Sequence, residues 1–297
     1  YGDLRHLHSF PTRRSSDLYI KEGANAFLKR QYKTLAIFVV VLAVLIGIAY
    51  ADGDNGWVMV LTYVLGAAAS GWAGIVGLNV GVTANSPTAW ASKKGMPEAF
   101  KVAFFGGAVM GLLIAGVGIT AVWLIYYVSG DPKYVLGFSF GASTIALFMK
   151  AGGGIFTKTA DVAADLVGKI EYDLPEDDAR NPAAIADNVG DNVGDIAGMG
   201  ADLVDSYIAS LVATMLLAFT FFVGYSESAK MALGSLPLII SASGLAASVV
   251  GVFIVIKLVK SDPGKALNTG TFVSAVIYIG ISAIFVAILS ATTDAPS

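Results

Sequence analysis

Two short runs of this sequence carry side chains spaced for chemistry. Lys158, Asp161 and Asp165 fall at i, i+3 and i+7, which places them on one face of an α-helix. Asp187, Asp191 and Asp195 fall at i, i+4 and i+8, inside the tandem repeat Asp-Asn-Val-Gly-Asp-Asn-Val-Gly-Asp. Like charges at that spacing destabilise an isolated helix by about 0.2–0.5 kcal/mol per pair. Two carboxylates about 6 Å apart repel by roughly 3 kcal/mol at an effective dielectric near 20. A helix that is merely solvated would interleave lysines to relieve this, and the repeat has none. Divalent cations would relieve it best, and hard oxygen ligands select Mg2+ or Ca2+ over zinc. Lys158 on the same face as the acids suits a phosphate substrate brought in with Mg2+.

These runs must be positioned by membrane helices. The chain has 297 residues, of which 56% are apolar and 14% charged, with a mean hydropathy of +0.71. Soluble domains carry about 25% charged residues. Seven stretches are long and apolar enough to cross a hydrocarbon core of about 30 Å: 34–50, 57–82, 102–128, 135–156, 196–223, 235–256 and 270–290. The expected fold is therefore all-α, a polytopic transmembrane helical bundle. Twelve of the 22 acidic residues lie between Gly152 and Asp205, around the junction of the fourth and fifth spans. The chain has no cysteine, which removes disulfides, thiolate metal sites and cysteine nucleophiles. Small residues such as the row Gly66, Ser70, Gly74 suit close helix packing in lipid.

Residues 1–18 differ in style from the rest. His8–Leu18 corresponds to the translation of a common sequencing adapter. The segment is set aside as non-native, leaving residues 19–297 as the partial membrane domain. Both histidines lie in the segment set aside, so the remaining chain offers no imidazole chemistry.

Orientation follows from the basic residues. Lys21, Lys29, Arg30 and Lys33 precede the first span; Lys93, Lys94 and Lys101 follow the second; Lys158, Lys169 and Arg180 follow the fourth; Lys257, Lys260 and Lys265 follow the sixth. The alternate loops hold only Lys133 and Lys230. The positive-inside rule then puts the acidic segment, a loop of about 157–195, on the cytoplasmic side. An odd number of spans places the two ends on opposite faces, which is expected of an internal piece of a longer membrane protein.

Three ionisable residues lie deeper. Lys150 is 11 residues before Asp161, and Asp202 is 11 residues after Asp191. On antiparallel helices both sit about 16 Å below the acids, at matching depth, and are expected to pair as buried partners. Asp205 follows one turn later. Each costs about 2.5–3.5 kcal/mol at mid-membrane on insertion scales, which marks such residues as functional candidates.

The segments GGGIFTKTADVAADLVGKIE and PEDDARNPAAIADNVGDNVGDIAGMGADL resemble the signature region of the membrane-integral, ion-pumping inorganic pyrophosphatases. The similarity runs from EGANAFLKRQYKT at Glu22 through the seventh span. The resemblance implies a sixteen-span homodimer that hydrolyses Mg-pyrophosphate on the cytoplasmic side, with an outward-pumped cation. It implies pyrophosphate binding by Lys158. It implies Mg2+, and through it substrate, held by Asp161, Asp165, Glu176, Asp187 and Asp191. Asp195 would activate the attacking water together with an aspartate beyond this chain. Lys150, Asp202 and Asp205 would form the ion gate.

Attack by water would be direct, without a phosphoenzyme, and seven of sixteen spans are expected to be inactive alone. K+ activation is left open, because the family's determinant lies outside this chain. The setting expected is a prokaryotic cell membrane, with lipid as solvent and no nucleic-acid partner.

Two departures from the family pattern matter. Lys150 stands where the family usually has arginine. The membrane glutamate expected at one of two positions a turn apart is replaced by Asp205 at the earlier and Ala209 at the later. Glutamate at the earlier position accompanies Na+ pumping, so the pattern here favours H+, with Na+ as the alternative. A rival from another class is a divalent-cation carrier or channel with an acidic cytoplasmic mouth. Lys158 argues against it, since a cation vestibule would avoid a lysine. A bundle with no function beyond packing would not carry the cost of Lys150, Asp202 and Asp205.

Overall fold

The structure is a computed structural model that describes residues 13–51, 53, 55–175, 178, 180–221, 224, 226–260 and 262–292. Among the described residues, eight α-helices follow in order: α1 (Arg13–Ala49), α2 (Gly56–Ala91), α3 (Met96–Ser129), α4 (Lys133–Leu166), α5 (Ala184–Asp191), α6 (Met199–Phe221), α7 (Glu227–Leu258) and α8 (Pro263–Thr292). Two π-helical segments extend them. Val167–Glu171 prolongs α4, and Asn192–Gly198 fuses α5 to α6. Among the described residues, seven helical stretches are long and apolar enough to cross a membrane, with α5 and α6 counted as one. The all-α, seven-span expectation is met.

The helices are longer than hydropathy indicates. The fourth stretch, Lys133–Glu171, has 39 residues, or about 58 Å at 1.5 Å per residue, against a hydrocarbon core of about 30 Å. Its polar end must therefore project past the apolar layer. The segment read as a loop over 157–195 is largely helix; among its described residues only 172–175, 178 and 180–183 depart from it. Hydropathy marks where lipid ends, and a solvated helix end carries charge without penalty. The helix α1 likewise begins at Arg13, inside the adapter-like stretch, and runs on without a break.

The helices α2 and α4 form the centre. A Cβ added at Gly66 would overlap the Phe138 carbonyl, and one at Gly141 would overlap the Tyr63 carbonyl. Glycine lets these two backbones touch, as small residues do where lipid removes the hydrophobic drive between helices. Tyr63, Ala67, Phe138 and Ala142 are buried around the crossing. The small row on α2 continues upward. Gly74 faces Tyr32 of α1, whose hydroxyl donates to the Gly71 carbonyl at 2.6 Å. From α6, Val204, Ile208, Leu211 and Met215 complete the core against α3 and α4. The helix α8 packs chiefly on α7, where a Ser243–Ser282 hydroxyl contact of 2.9 Å joins the pair.

Filling the central crossing should break the bundle. Gly141→Leu or Gly66→Val is expected to remove the monodisperse peak on size-exclusion in detergent, since overpacking a tight core costs about 1–3 kcal/mol or more. Gly116→Val, where an added Cβ meets nothing within 4 Å, should leave the peak intact. Equal behaviour of the three variants would refute the crossing as the structural centre.

Candidate functional site

The acidic repeat is gripped by its neighbours through a pattern of four. In an α-helix each residue turns by about 100°, so a four-residue repeat presents four rows, about a quarter-turn apart. Glycine forms one row, Gly190, Gly194 and Gly198, and it lies against α4. A Cβ at Gly190 would meet Thr157 Cα at 2.8 Å, one at Gly194 the Gly153 carbonyl at 3.1 Å, and one at Gly198 the Met149 carbonyl at 3.0 Å. The Val189, Val193 and Ala197 row is buried in the core with Leu78 and Met149. Asn192 and Ile196 face α2. Asp187, Asp191 and Asp195 form the remaining row.

A period of four drifts by about 40° per repeat on an ideal α-helix of 3.6 residues per turn. The wider i→i+5 turns of Asn192–Gly198 work against that drift. The π-helical segment is thus the backbone's answer to the repeat, in keeping with the tendency of such bulges to mark functional sites.

On α4, Lys158 pairs with Asp161 at 2.9 Å and Lys169 with Asp165 at 2.9 Å. Across the contact, Thr157 Oγ1 donates to Asp191 Oδ1 at 3.3 Å. These groups stand on the polar helix ends beyond the apolar length. The hydrogen bond and charge of Asp161 raise the Lys158 ammonium above its ordinary pKa, and Asp191 and Asp195 add to the shift. Burial, then the charges of Asp195 and Asp161, push the Asp191 carboxyl up, against the opposing hydrogen bond from Thr157. Lys158, Asp161, Asp191 and Asp195 therefore form one electrostatic group.

Asp161 also borders a narrow cleft with Asp165, Asp187, Lys169 and Asn181. Asn181 is buried and donates to the Ala164 carbonyl at 2.8 Å. Its Oδ1 accepts from the Ala183 N–H at 3.0 Å, so it staples the start of α5 to α4. Asp178 is held down at about 2 by hydrogen bonds from the Arg180 side chain and backbone N–H. Glu176 lies outside the described residues.

Among the described residues, no three carboxylates converge to hold one metal ion. That arrangement still fits Mg2+, which usually takes one or two carboxylates and fills its octahedron with waters and substrate phosphates. Asp161, Asp165, Asp187 and Asp191 are the residues that would hold it here. Lys158 and Lys169 neutralise two of these acids through pairs that a divalent cation would have to displace.

Deeper on the same helices, Lys150 Nζ meets Asp202 Oδ2 at 2.6 Å, the pairing that depth arithmetic predicts. The pair is not buried within this bundle: the Lys150 side chain is 61% exposed and that of Asp202 31%. The helices α4 and α6 turn this edge outward, so the burial expectation fails. Asp205 accepts from Ser143 on α4. Ser143 was not singled out in the sequence, although the antiparallel register that joins residues 150 and 202 brings this part of α4 opposite Asp205. Thr157, Asn85 and Asn192 were missed as well. Hydroxyls and amides carry no charge signal, and only their cross-helix partners distinguish them.

The family model described as inorganic H+ pyrophosphatase matches residues 13–296. A Methanosarcina mazei protein named a K(+)-insensitive pyrophosphate-energized proton pump is 48% identical over 236 residues, which is 80% of this chain and 34% of that protein. A Clostridium tetani protein is 46% identical over 267 residues, 90% of this chain and 38% of that protein; its name assigns it provisionally as a K(+)-stimulated pyrophosphate-energized sodium pump. A K(+)-insensitive pyrophosphate-energized proton pump of Streptomyces coelicolor is 40% identical over 289 residues, 90% of this chain and 35% of that protein. The chain spans little more than a third of the length of these relatives.

Divalent-cation affinity should depend on the gripped row of acids. Asp191→Asn is expected to weaken Mg2+ binding, read by Mn2+ displacement, at least tenfold. Asp178→Asn, in the segment beside the site, should change it less than twofold. Equal losses would show that the acids act only as diffuse negative charge.

Proposed function

This chain belongs to the inorganic H+ pyrophosphatase family, and on that premise we propose that it forms the phosphate-handling and gate portion of a pump. Mg-pyrophosphate would be hydrolysed to two phosphates at the polar ends of α4 and α5, with H+ expelled across the membrane. The observation that carries this reading is the continuity of two helices. Lys158, Asp161, Asp191 and Asp195 form one electrostatic group at their polar ends, and the Lys150–Asp202 pair bridges the same helices lower down.

In the proposed reaction, Lys158 leaves Asp161 and donates to a phosphoryl oxygen of the substrate. Asp195 accepts the proton of the attacking water, aided by a second carboxylate beyond this chain. The water oxygen attacks one phosphorus, the bond from that phosphorus to the bridging oxygen breaks, and the second phosphate leaves with that electron pair. No enzyme–phosphate bond forms. Mg2+ bound at Asp161, Asp165, Asp187 and Asp191, with Glu176, would neutralise the charge that develops on the phosphates. Preorganised carboxylates and Lys158 supply the orientation and electrostatics that phosphoryl transfer chiefly needs.

Charge released above the gate would loosen the Lys150–Asp202 pair and free a proton through Asp205. H+ is favoured over Na+ because Asp205, tied to the Ser143 hydroxyl, is a shorter side chain than the glutamate associated with Na+ pumping. The excess of Lys and Arg at the end that holds the site supports a cytoplasmic location. We assign the full-length protein to a prokaryotic cell membrane as a homodimer, with K+ as a possible activator.

The test is the full-length protein in inverted membrane vesicles. Mg-pyrophosphate is expected to acidify the lumen whether or not Na+ is present, and Asp195→Asn should lower hydrolysis by at least 100-fold, the scale of a lost general base. Hydrolysis that requires Na+ and loads it would overturn the H+ assignment. Absence of hydrolysis would overturn the enzyme and favour the cation carrier.

A further inference from the structure

The helix that carries Asp191 and Asp195 is held on two sides, and the second holder is a residue well outside the acidic segment. Asn85 of α2 donates from Nδ2 to Asn192 Oδ1 at 3.1 Å. Asn192 is only 4% exposed, and its own Nδ2 donates to the Asn188 carbonyl at 2.8 Å. The buried amide is thereby used at both ends, and its oxygen depends on Asn85. One turn away on each helix, Gly81 makes room for Ile196, whose Cδ1 would lie within van der Waals overlap of an added Cβ. Asn85 and Gly81 thus form two matched rungs between α2 and the π-helical segment.

Direction is what these rungs add. Along the repeat, Asp191 is preceded by Gly190 against α4 and followed by Asn192 against α2. Asp195 is likewise flanked by Gly194 and Ile196. At about 100° per residue, the two carboxylates project between the two gripped rows. The glycine contacts with the backbone of α4 and the Gly81–Ile196 contact limit approach and rotation by shape alone. The Asn85–Asn192 hydrogen bond is directional. It acts on rotation at the point where α5 gives way to π-helical turns.

We propose that Asn85 is a positioning residue for pyrophosphate hydrolysis, acting through Asn192 to fix the rotation at which Asp191 and Asp195 face Lys158 and the substrate. The inference rests on the hydrolytic reading of the site. The hydrogen bond of Asn85 goes to Asn192, and its effect passes through the rotation of one helix.

The experiment uses the full-length protein in detergent, with hydrolysis followed over a range of Mg-pyrophosphate concentrations for Asn85→Leu, Asn192→Leu, the double variant and Asn85→Gln. Leucine keeps the volume and removes the hydrogen bond. At saturating Mg2+, each leucine variant is expected to lower kcat about 10- to 100-fold with a smaller rise in KM, since Lys158 and Asp161 stay on α4 while Asp191 and Asp195 turn away. The double variant should lose no more than either single one, as expected when two residues act as a unit. Asn85→Gln, which keeps an amide donor, should recover part of the rate. Unchanged kcat, additive losses, or a loss matched by the fraction of protein missing from the size-exclusion peak would each overturn the proposal. Wild-type protein that hydrolyses no pyrophosphate would overturn the functional reading itself, and that outcome is distinguished by the wild-type control alone.

Discussion

Five aspartates on two adjacent helices repel one another, and the structure depends on how backbone contact holds them together in spite of it. The contact is made by absence of side chain. Gly190, Gly194 and Gly198 press the repeat against α4 at Met149, Gly153 and Thr157, so the repelling groups cannot be relieved by the helices moving apart. Lysines absorb part of the charge: Lys158 stands on Asp161 and Lys169 on Asp165. Asp191 has a threonine hydroxyl in place of a lysine and is the carboxyl pushed toward protonation. Divalent cations, each held by one or two of these carboxylates and bridged by phosphate, would relieve the charge across both helices, in a way lysines paired along their own helix cannot.

The same contact gives the site its connection to the membrane interior. The glycine row ends at Gly198, against Met149 and Lys150, and one turn further on Lys150 meets Asp202. The acidic site and the proposed gate would therefore share two helices with no loop between them. The π-helical segment lies between them.

Much of this was legible in the sequence because charge in an apolar chain is costly and so conspicuous. The spacing of Asp187, Asp191 and Asp195 identified a helix face, counting residues matched Lys150 with Asp202, and the resemblance in the repeat was specific enough to agree with the family. What stayed hidden has physical reasons. Hydropathy could not show that the helices outrun the membrane, because a solvated helix end and a loop have the same composition. It could not show that Lys150 lies on an outward edge of this bundle, since burial depends on which helices neighbour it. The work of Asn85, Ser143 and Thr157 could not be read at all. An uncharged polar side chain gains its meaning from a partner on another helix, 107 residues away for Asn85 and 62 for Ser143.

The most direct test of the central claim is a structure of the full-length protein with Mg2+ and methylenediphosphonate, a pyrophosphate analogue whose bridge cannot be hydrolysed. The account predicts the analogue between the polar end of α4 and the Asp187–Asp191–Asp195 row. Lys158 should have moved from Asp161 to a phosphonate oxygen, with the glycine contacts between Gly190 and Gly198 and α4 unchanged. An analogue bound elsewhere, or a repeat helix separated from α4 to admit it, would contradict the account.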